Sequence, residues 1–391
     1  MTTTTSRRPT VSPIGAARVD ELHLPPIVHF GRGALARLGR EARGFGERAL
    51  VVTDRGLATS DIVRQAVEVL RDAGVDPIVF DRVEPNPTVA QVEDGLAAGA
   101  DRQVAIVVSV GGGSAHDCAK VIALVAANGG EVREYEGSDR SRHRGLPLIC
   151  VNTTAGSGAE VSRYAVITDP FRELKMIVAD RHLMPRVAID DPLLTVGLPA
   201  PVTVASGLDA LTHAIEAYVS TSASELTDLH ALRAIELIAA TLETAVRTPT
   251  DVNAREAMLM GAFLAGLAID SASVGAVHAM AHQVGAVYDA PHGVCNGLLL
   301  PAVVEANLPA ARERYDRVAA AMGAGPSGQR LPAALKALGE RLGLPRGLGA
   351  LGVERSRIGA LAARAMTDMT MATNPRQLSE ADVARLFERA L

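Results

Sequence analysis

Cysteine is scarce and scattered: Cys118, Cys150 and Cys295 are the three in 391 residues, each inside an apolar stretch. An odd number at wide spacing supports neither a disulfide framework nor a cysteine-ligated zinc site. Buried free thiols in a reducing compartment are expected instead. No apolar run reaches the length needed to cross a membrane. The opening segment MTTTTSRRPTVSP has two arginines but no apolar stretch behind them, unlike a secretory leader. Its Thr, Ser and Pro content suits a mobile tail over residues 1–18.

Charge of one sign is also missing. The 39 basic and 44 acidic residues leave a formal net charge of −5 and are well mixed. Phosphate binding along a nucleic acid needs a concentrated basic face, and Arg312, Arg314 and Arg317 have the spacing of an ordinary solvated helix face. No internal repeat or low-complexity tract follows the tail. A cytoplasmic protein with neither nucleic acid nor membrane as partner is expected.

What is present is length and pattern. At 391 residues and 48% hydrophobic content, two domains are expected. The first half alternates short β-branched runs with helical patterns: strands over Ala49–Thr53, Pro77–Phe80, Val104–Val110 and Leu146–Val151, helices over Ser60–Ala73, Val89–Gly99 and Ser114–Ala127. Continuous apolar strands separated by helices indicate a parallel sheet covered on both faces. Met176–Val178 and Val187–Ile189 are further strand candidates. Prolines then concentrate at positions 185, 192, 199 and 201, which marks a junction. Beyond it, long Ala- and Leu-rich segments (Val202–Val219, Leu226–Thr248, Asn253–Ala272, Val274–Tyr288) predict an all-α region. The expected architecture is an α/β domain over 19–198 followed by an all-α domain over 199–391.

Two stretches of the second half carry chemistry. In GLDALTHAIEAY (Gly207–Tyr218), Asp209 and His213 are four apart. In VHAMAHQVGAVYDAPHG (Val277–Gly293), so are His278 and His282, and His292 follows a Pro-containing turn. Residues at i and i+4 share a helix face, so each stretch aims two polar groups at one point. Imidazoles and a carboxylate in apolar surroundings are costly to bury unpartnered. They suit Fe²⁺ or Zn²⁺ rather than Mg²⁺ or Ca²⁺, which favour all-oxygen shells. Glu216, one turn after His213, is either an acceptor orienting that imidazole or a helix-surface charge. Tyr218 and Tyr288 either line a pocket or fill the core, and His116 is expected to be solvated.

In the first half, Val104–Val110 runs into Gly111-Gly112-Gly113-Ser114 and a helical segment. Glycines permit close backbone approach and a helix start offers free N–H groups to an anion, so the turn either cradles a pyrophosphate or only joins strand to helix. Asn152–Gly158 is a second Gly- and hydroxyl-rich loop after a strand, where ligands of parallel sheets bind. Asp54, ending the first strand, either accepts from a ribose hydroxyl, favouring NAD over NADP, or caps a turn.

With these motifs in hand the chain resembles the iron-containing (group III) alcohol dehydrogenases over nearly its whole length. The matches are GGGSAHDCAK (Gly111–Lys120), NTTAGSGAE (Asn152–Glu160), GLDALTHAIEAY and HAMAHQVGAVYDAPHG (His278–Gly293), with EPNPT (Glu84–Thr88) and TNPR (Thr373–Arg376). The NAD-dependent methanol and short-chain alcohol dehydrogenases of bacteria are the nearest in character. The resemblance implies a Rossmann-like NAD domain, a helical metal domain and an active site in the cleft between them. It implies Asp209, His213, His278 and His292 as ligands of Fe²⁺, with Zn²⁺ used by some relatives. His282 corresponds to a non-ligand histidine near the substrate. Asp54, Asn86, Gly112, Gly113, Ser114, Asp117, Thr153, Thr154 and Lys175 fall at cofactor positions. The implied reaction interconverts a small primary alcohol and its aldehyde, in a homodimer or larger homo-oligomer. A lyase of the same architecture, resembling dehydroquinate synthase and using NAD transiently, is the alternative.

Overall fold

The apolar runs of the first half become the centre of a parallel sheet. In a computed structural model that describes residues 21–391, the strands are β1 (Ile27–Phe30), β2 (Arg48–Asp54), β3 (Asp76–Val83), β4 (Ile106–Gly111), β5 (Gly137–Ser138), β6 (Leu148–Asn152), β7 (Tyr164–Asp169), β8 (Leu174–Ala179) and β9 (Val187–Asp190). Six form one sheet in the order β1-β9-β6-β4-β2-β3, every neighbouring pair parallel. The tail expected over 1–18 lies outside the described residues.

Four helices cover this sheet: α1 (Leu38–Arg43), α2 (Asp61–Asp72), α3 (Val89–Gly99) and α4 (Gly113–Asn128). Alternate residues of each strand face opposite sides, and both sides are apolar. Val51, Val108 and Ile149 pack with Leu38, Ala42 and Leu70 of α1 and α2. Leu50, Val52 and Val107 pack with Val92 and Ile122 of α3 and α4. Burial of both faces is why these strands show no hydrophobic alternation in sequence. Ser60 caps α2, and Thr88 with Gln91 forms a capping box at the start of α3.

Of the two further strand candidates, Val187–Ile189 enters the main sheet as part of β9. Met176–Val178 instead belongs to a second sheet of order β5-β8-β7, with β7 and β8 antiparallel. A four-residue link joins β7 to β8, long enough for a hairpin and too short for a parallel crossover. This small sheet packs β8 against the second half of the chain.

That second half is helical: α5 (Ala200–Val219), α6 (Glu225–Arg247), α7 (Val252–Ala272), α8 (Ala276–Tyr288), α9 (His292–Asn307), α10 (Arg312–Ala321), α11 (Leu331–Arg341), α12 (Ile358–Ala365) and α13 (Glu380–Ala390). One hydrophobic core joins them, with Leu211, Ile215, Ile235, Leu259, Met280 and Leu299 at its centre. Against the expectation that no segment is long and apolar enough to span a membrane, α7 is so by length and composition. It packs between α5 and α6 and buries Arg255 and Asp270. Arg255 donates to Thr203 Oγ1 at 2.9 Å and Asp270 accepts from the Arg163 backbone at 2.7 Å, so its charged groups are partnered inside the protein.

All three cysteines are buried free thiols. Arginine supplies nearly all the positive charge: of the three lysines, Lys120 and Lys175 are buried and Lys336 is exposed on α11.

Candidate active site

Three helices deliver the metal-type side chains. Asp209, His213 and Glu216 lie in successive turns along one face of α5, His278 and His282 lie one turn apart on α8, and His292 opens α9. Asp209, His278 and His292 each present a donor atom within 4.8 Å of the others. Around Asp209 Oδ1, the Nε2 atoms of His213, His278 and His292 stand at 3.7, 3.6 and 3.5 Å. Four donors about 2.1 Å from a shared tetrahedral ion would be about 3.4 Å apart. The four side chains therefore fit a divalent transition metal. His213 and His278 are stacked, ring centroids 4.6 Å apart, so His213 completes the cluster from its α5 side.

Charge supports the same fit. Burial would raise the Asp209 carboxyl, but the three histidines hold it well below the usual carboxylate range. Burial lowers His213 to about 4 against the pull of Asp209, and lowers His292 far below the ordinary imidazole value. Both therefore stay neutral, as a metal ligand must. His278 differs. Burial opposes its charge, yet hydrogen bonds to Asp209 and Glu216 raise it to about 9. A bound cation competes with that proton.

Glu216 explains the difference, and corrects the expectation that it orients His213. Its Oε2 accepts from His278 Nδ1 at 2.6 Å and its Oε1 accepts from the Val277 backbone N–H at 2.7 Å. It satisfies an N–H of the first turn of α8, otherwise without an intrahelical partner, while turning His278 Nε2 toward Asp209. Two site residues were missed in sequence. Asn296 donates from Nδ2 to Asp209 Oδ1 at 2.8 Å and lies 3.2 Å from Nε2 of both His278 and His292. It is four residues after His292, so the i, i+4 rule could have found it. Asp368 Oδ2 lies 2.8 Å from His282 Nδ1, and Asp368 Oδ1 accepts from Thr370. No local signal ties Asp368 to a histidine 86 positions away.

Beside the cluster opens a cavity of about 320 Å³ between the α/β and helical halves. It is lined by all four cluster residues and His282, and on its other side by Asn86, Gly113, Ser114, Asp117, Thr154 and Lys175. Asp54, Gly112 and Thr153 are not part of its wall. Thr153 is fully buried. Asp54 accepts from Leu57 N at 3.0 Å, closing a turn, and burial raises its carboxyl. The glycine turn is needed for another reason than ligand approach alone. A Cβ on Gly112 would stand 2.8 Å from Thr154 Oγ1, and one on Gly113 2.8 Å from Ser157. The two strand-end loops thus press on each other, and only glycine fits between them.

Several of these residues and their neighbours also hold the fold together. Asp117 accepts from Val166 N at 3.0 Å, and burial lifts its carboxyl to about 6. Lys175 donates to Asn86 Oδ1 at 2.7 Å, and Asn86 donates to Asp289 Oδ1 at 2.7 Å, which links β8 to the end of α8. Asn374 of TNPR accepts from Ala276 N and exchanges side-chain hydrogen bonds with Asn307, bracing α8 against α9. His116 is not solvated: it is fully buried, 2.8 Å from Ser109 Oγ, and burial lowers it to about 3. Arg314 likewise is no free surface charge. It lies over the Tyr218 ring and pairs with Asp228, while Tyr218 is core.

Comparison with known proteins agrees with this architecture. Residues 25–192 match the iron-containing alcohol dehydrogenase family, and residues 203–391 match the C-terminal region of that Fe-containing family. Alcohol dehydrogenase 4 of Saccharomyces cerevisiae (strain YJM789) is 42% identical over 376 residues, covering 95% of this chain and 98% of its own. The NAD-dependent methanol dehydrogenase of Bacillus methanolicus is 39% identical, covering 94% and 99%. The crystal structure of a 1,3-propanediol oxidoreductase superposes with a TM-score of 0.93 at 40% identity, over 96% of this chain and all of that one. The shared fold, the three-histidine and aspartate cluster and the matches at both halves lead to one conclusion: this chain belongs to the iron-containing alcohol dehydrogenase family and is an oxidoreductase acting on alcohols.

Proposed function

We propose that the chain interconverts a small primary alcohol and its aldehyde with NAD, using a divalent iron or zinc ion held by Asp209, His213, His278 and His292. The observation that carries the proposal is the set of three Nε2 atoms at 3.5–3.7 Å around Asp209 Oδ1, facing one cavity with the glycine turn. When bound, the metal supplies Lewis acidity toward an alcohol oxygen and the nicotinamide supplies the hydride acceptor.

The protein's own residues do the rest. Gly113, Ser114, Thr154 and Lys175 line the side of the cavity nearest the sheet and receive the dinucleotide. Val166, Ile177, Ile269, Val274 and Met369 give the cavity apolar walls, which exclude water and suit a short carbon chain. His282 carries the alcohol proton. Its Nδ1 is committed to Asp368, which leaves Nε2 as the nitrogen that exchanges it. Asn86 and Asp289 set the position of Lys175.

Among the described residues, Lys175 is the one lysine or arginine in the cavity wall. A phosphorylated lyase substrate would call for a cluster of cations, so the wall favours the dehydrogenase, as do the dehydrogenase relatives. The test is an NADH-absorbance screen over short alcohols and aldehydes with metal content measured on the same preparation. Accumulating NADH in proportion to bound metal supports the proposal. Turnover without net NADH, or full turnover in metal-stripped protein, overturns it.

A further inference from the structure

A second cavity, of about 260 Å³, lies at the opposite end of the sheet, where the chain enters β6 and β9. Arg144, Arg186, His182 and the buried Lys120 line it together with Phe45, Leu146 and Met184, and among the described residues no acidic side chain does. Among the described residues neither guanidinium has a hydrogen bond or ion pair. Arg144 is exposed and Arg186 half-buried, and an arginine fork without a protein carboxylate can donate to an anion through two N–H groups.

The cavity is held rather than incidental. Arg144 sits on a loop tied down at several points. Asn128 Oδ1 accepts from the backbone N–H groups of Arg142 and His143 at 3.1 and 2.9 Å, and Asn128 Nδ2 donates to His143 O at 2.9 Å. Asp180 Oδ2 accepts from Ser141 N at 2.8 Å, and Leu146 N donates to Ala123 O at 2.9 Å. His182 is fixed by its Nδ1 against Ser141 Oγ at 2.8 Å. Arg186 follows Pro185, and its backbone N–H donates to Leu148 O at 2.8 Å. Two guanidiniums and an imidazole thus line an apolar floor on a preorganised frame, which lowers the ordering cost of binding.

We propose that this cavity is a binding site for a small organic phosphate, with the dianionic head between Arg144, Arg186 and His182 and an apolar body against Phe45, Leu146 and Met184. It is separate from the dehydrogenase cleft. Asn152, at the far end of β6, leads into the Thr153–Thr154 loop of that cleft, while Leu148 at the near end lines this cavity.

Calorimetric titration with phenyl phosphate, on full-length protein saturated with NADH so that the cleft is filled, tests the proposal. One saturable site is expected, with affinity falling at least about tenfold in R144Q/R186Q. R142Q, a neighbouring exposed arginine outside the cavity, is expected to bind as the parent does. Absence of saturable binding, equal affinity in R144Q/R186Q, an equal loss in R142Q, or displacement of phenyl phosphate by NADH would each overturn it.

Discussion

Glu216 serves two donors at once, capping α8 at Val277 and fixing His278 through its Nδ1. A carboxylate partner raises the basicity of a ligating imidazole, and its loss costs about 10–100-fold in metal affinity. Glu216→Gln is expected to retain the fold and lose metal by that order on dialysis against a chelator, measured as metal per chain. Asp169 shows a different use of charge. It accepts from Arg133 Nε at 2.7 Å, Arg172 Nε at 2.8 Å and Phe171 N at 3.1 Å. The Arg133 hydrogen bond foremost, then Arg172, holds its carboxyl well below the usual range. A depressed carboxyl contributes stability above its unfolded value of about 3.9 and loses it as pH falls toward the folded value. Asp169→Asn is therefore expected to unfold more easily than the parent at pH 7. The gap should narrow progressively below about pH 4 in denaturant titrations.

At the scale of elements, His292 owes its place to how α9 meets α5. A Cβ on Gly293 would stand 1.9 Å from the backbone oxygen of Ala205. The first turn of α9 can approach only with glycine there, and that approach sets His292 beside Asp209. Gly293→Ala is expected to cost about 1–3 kcal/mol by overpacking and to weaken metal retention as well, read from a melting curve and from metal content on the same sample. This dependence was invisible in the sequence, where Gly293 is only the residue after a histidine. The helices themselves were legible. Val89–Gly99 forms over the expected residues, and α5 to α8 begin and end within a few residues of their expected bounds, because apolar periodicity over many turns is a strong signal. β1 was missed: four residues at the edge of the sheet, paired on one side only, carry too little pattern. The four cluster residues were recoverable because i, i+4 spacing is a property of one helix. The Asp368 contact to His282 was not, since it is made by chain returning after several intervening helices.

Across the whole molecule, a hydrogen-bond chain from Lys175 through Asn86 to Asp289 ties the two halves beside the cavity. Arg364 with Glu173 and Arg32 with Glu256 add ion pairs between the halves. The exposed pairs contribute little each, whereas the Asn86 bridge includes a buried ammonium. Asp289→Ala is expected to loosen one half against the other, so that NADH leaves faster and its KM rises more than kcat falls. Stopped-flow displacement of NADH measures this directly, and an unchanged release rate would refute it. The positive charge of the exterior is almost entirely guanidinium, because Lys120 and Lys175 are enclosed and Lys336 alone stands open on α11. Among the lysines, amine-directed reagents therefore find a single accessible handle far along the chain, and a fluorophore or tether attached there leaves the other two lysine amines untouched.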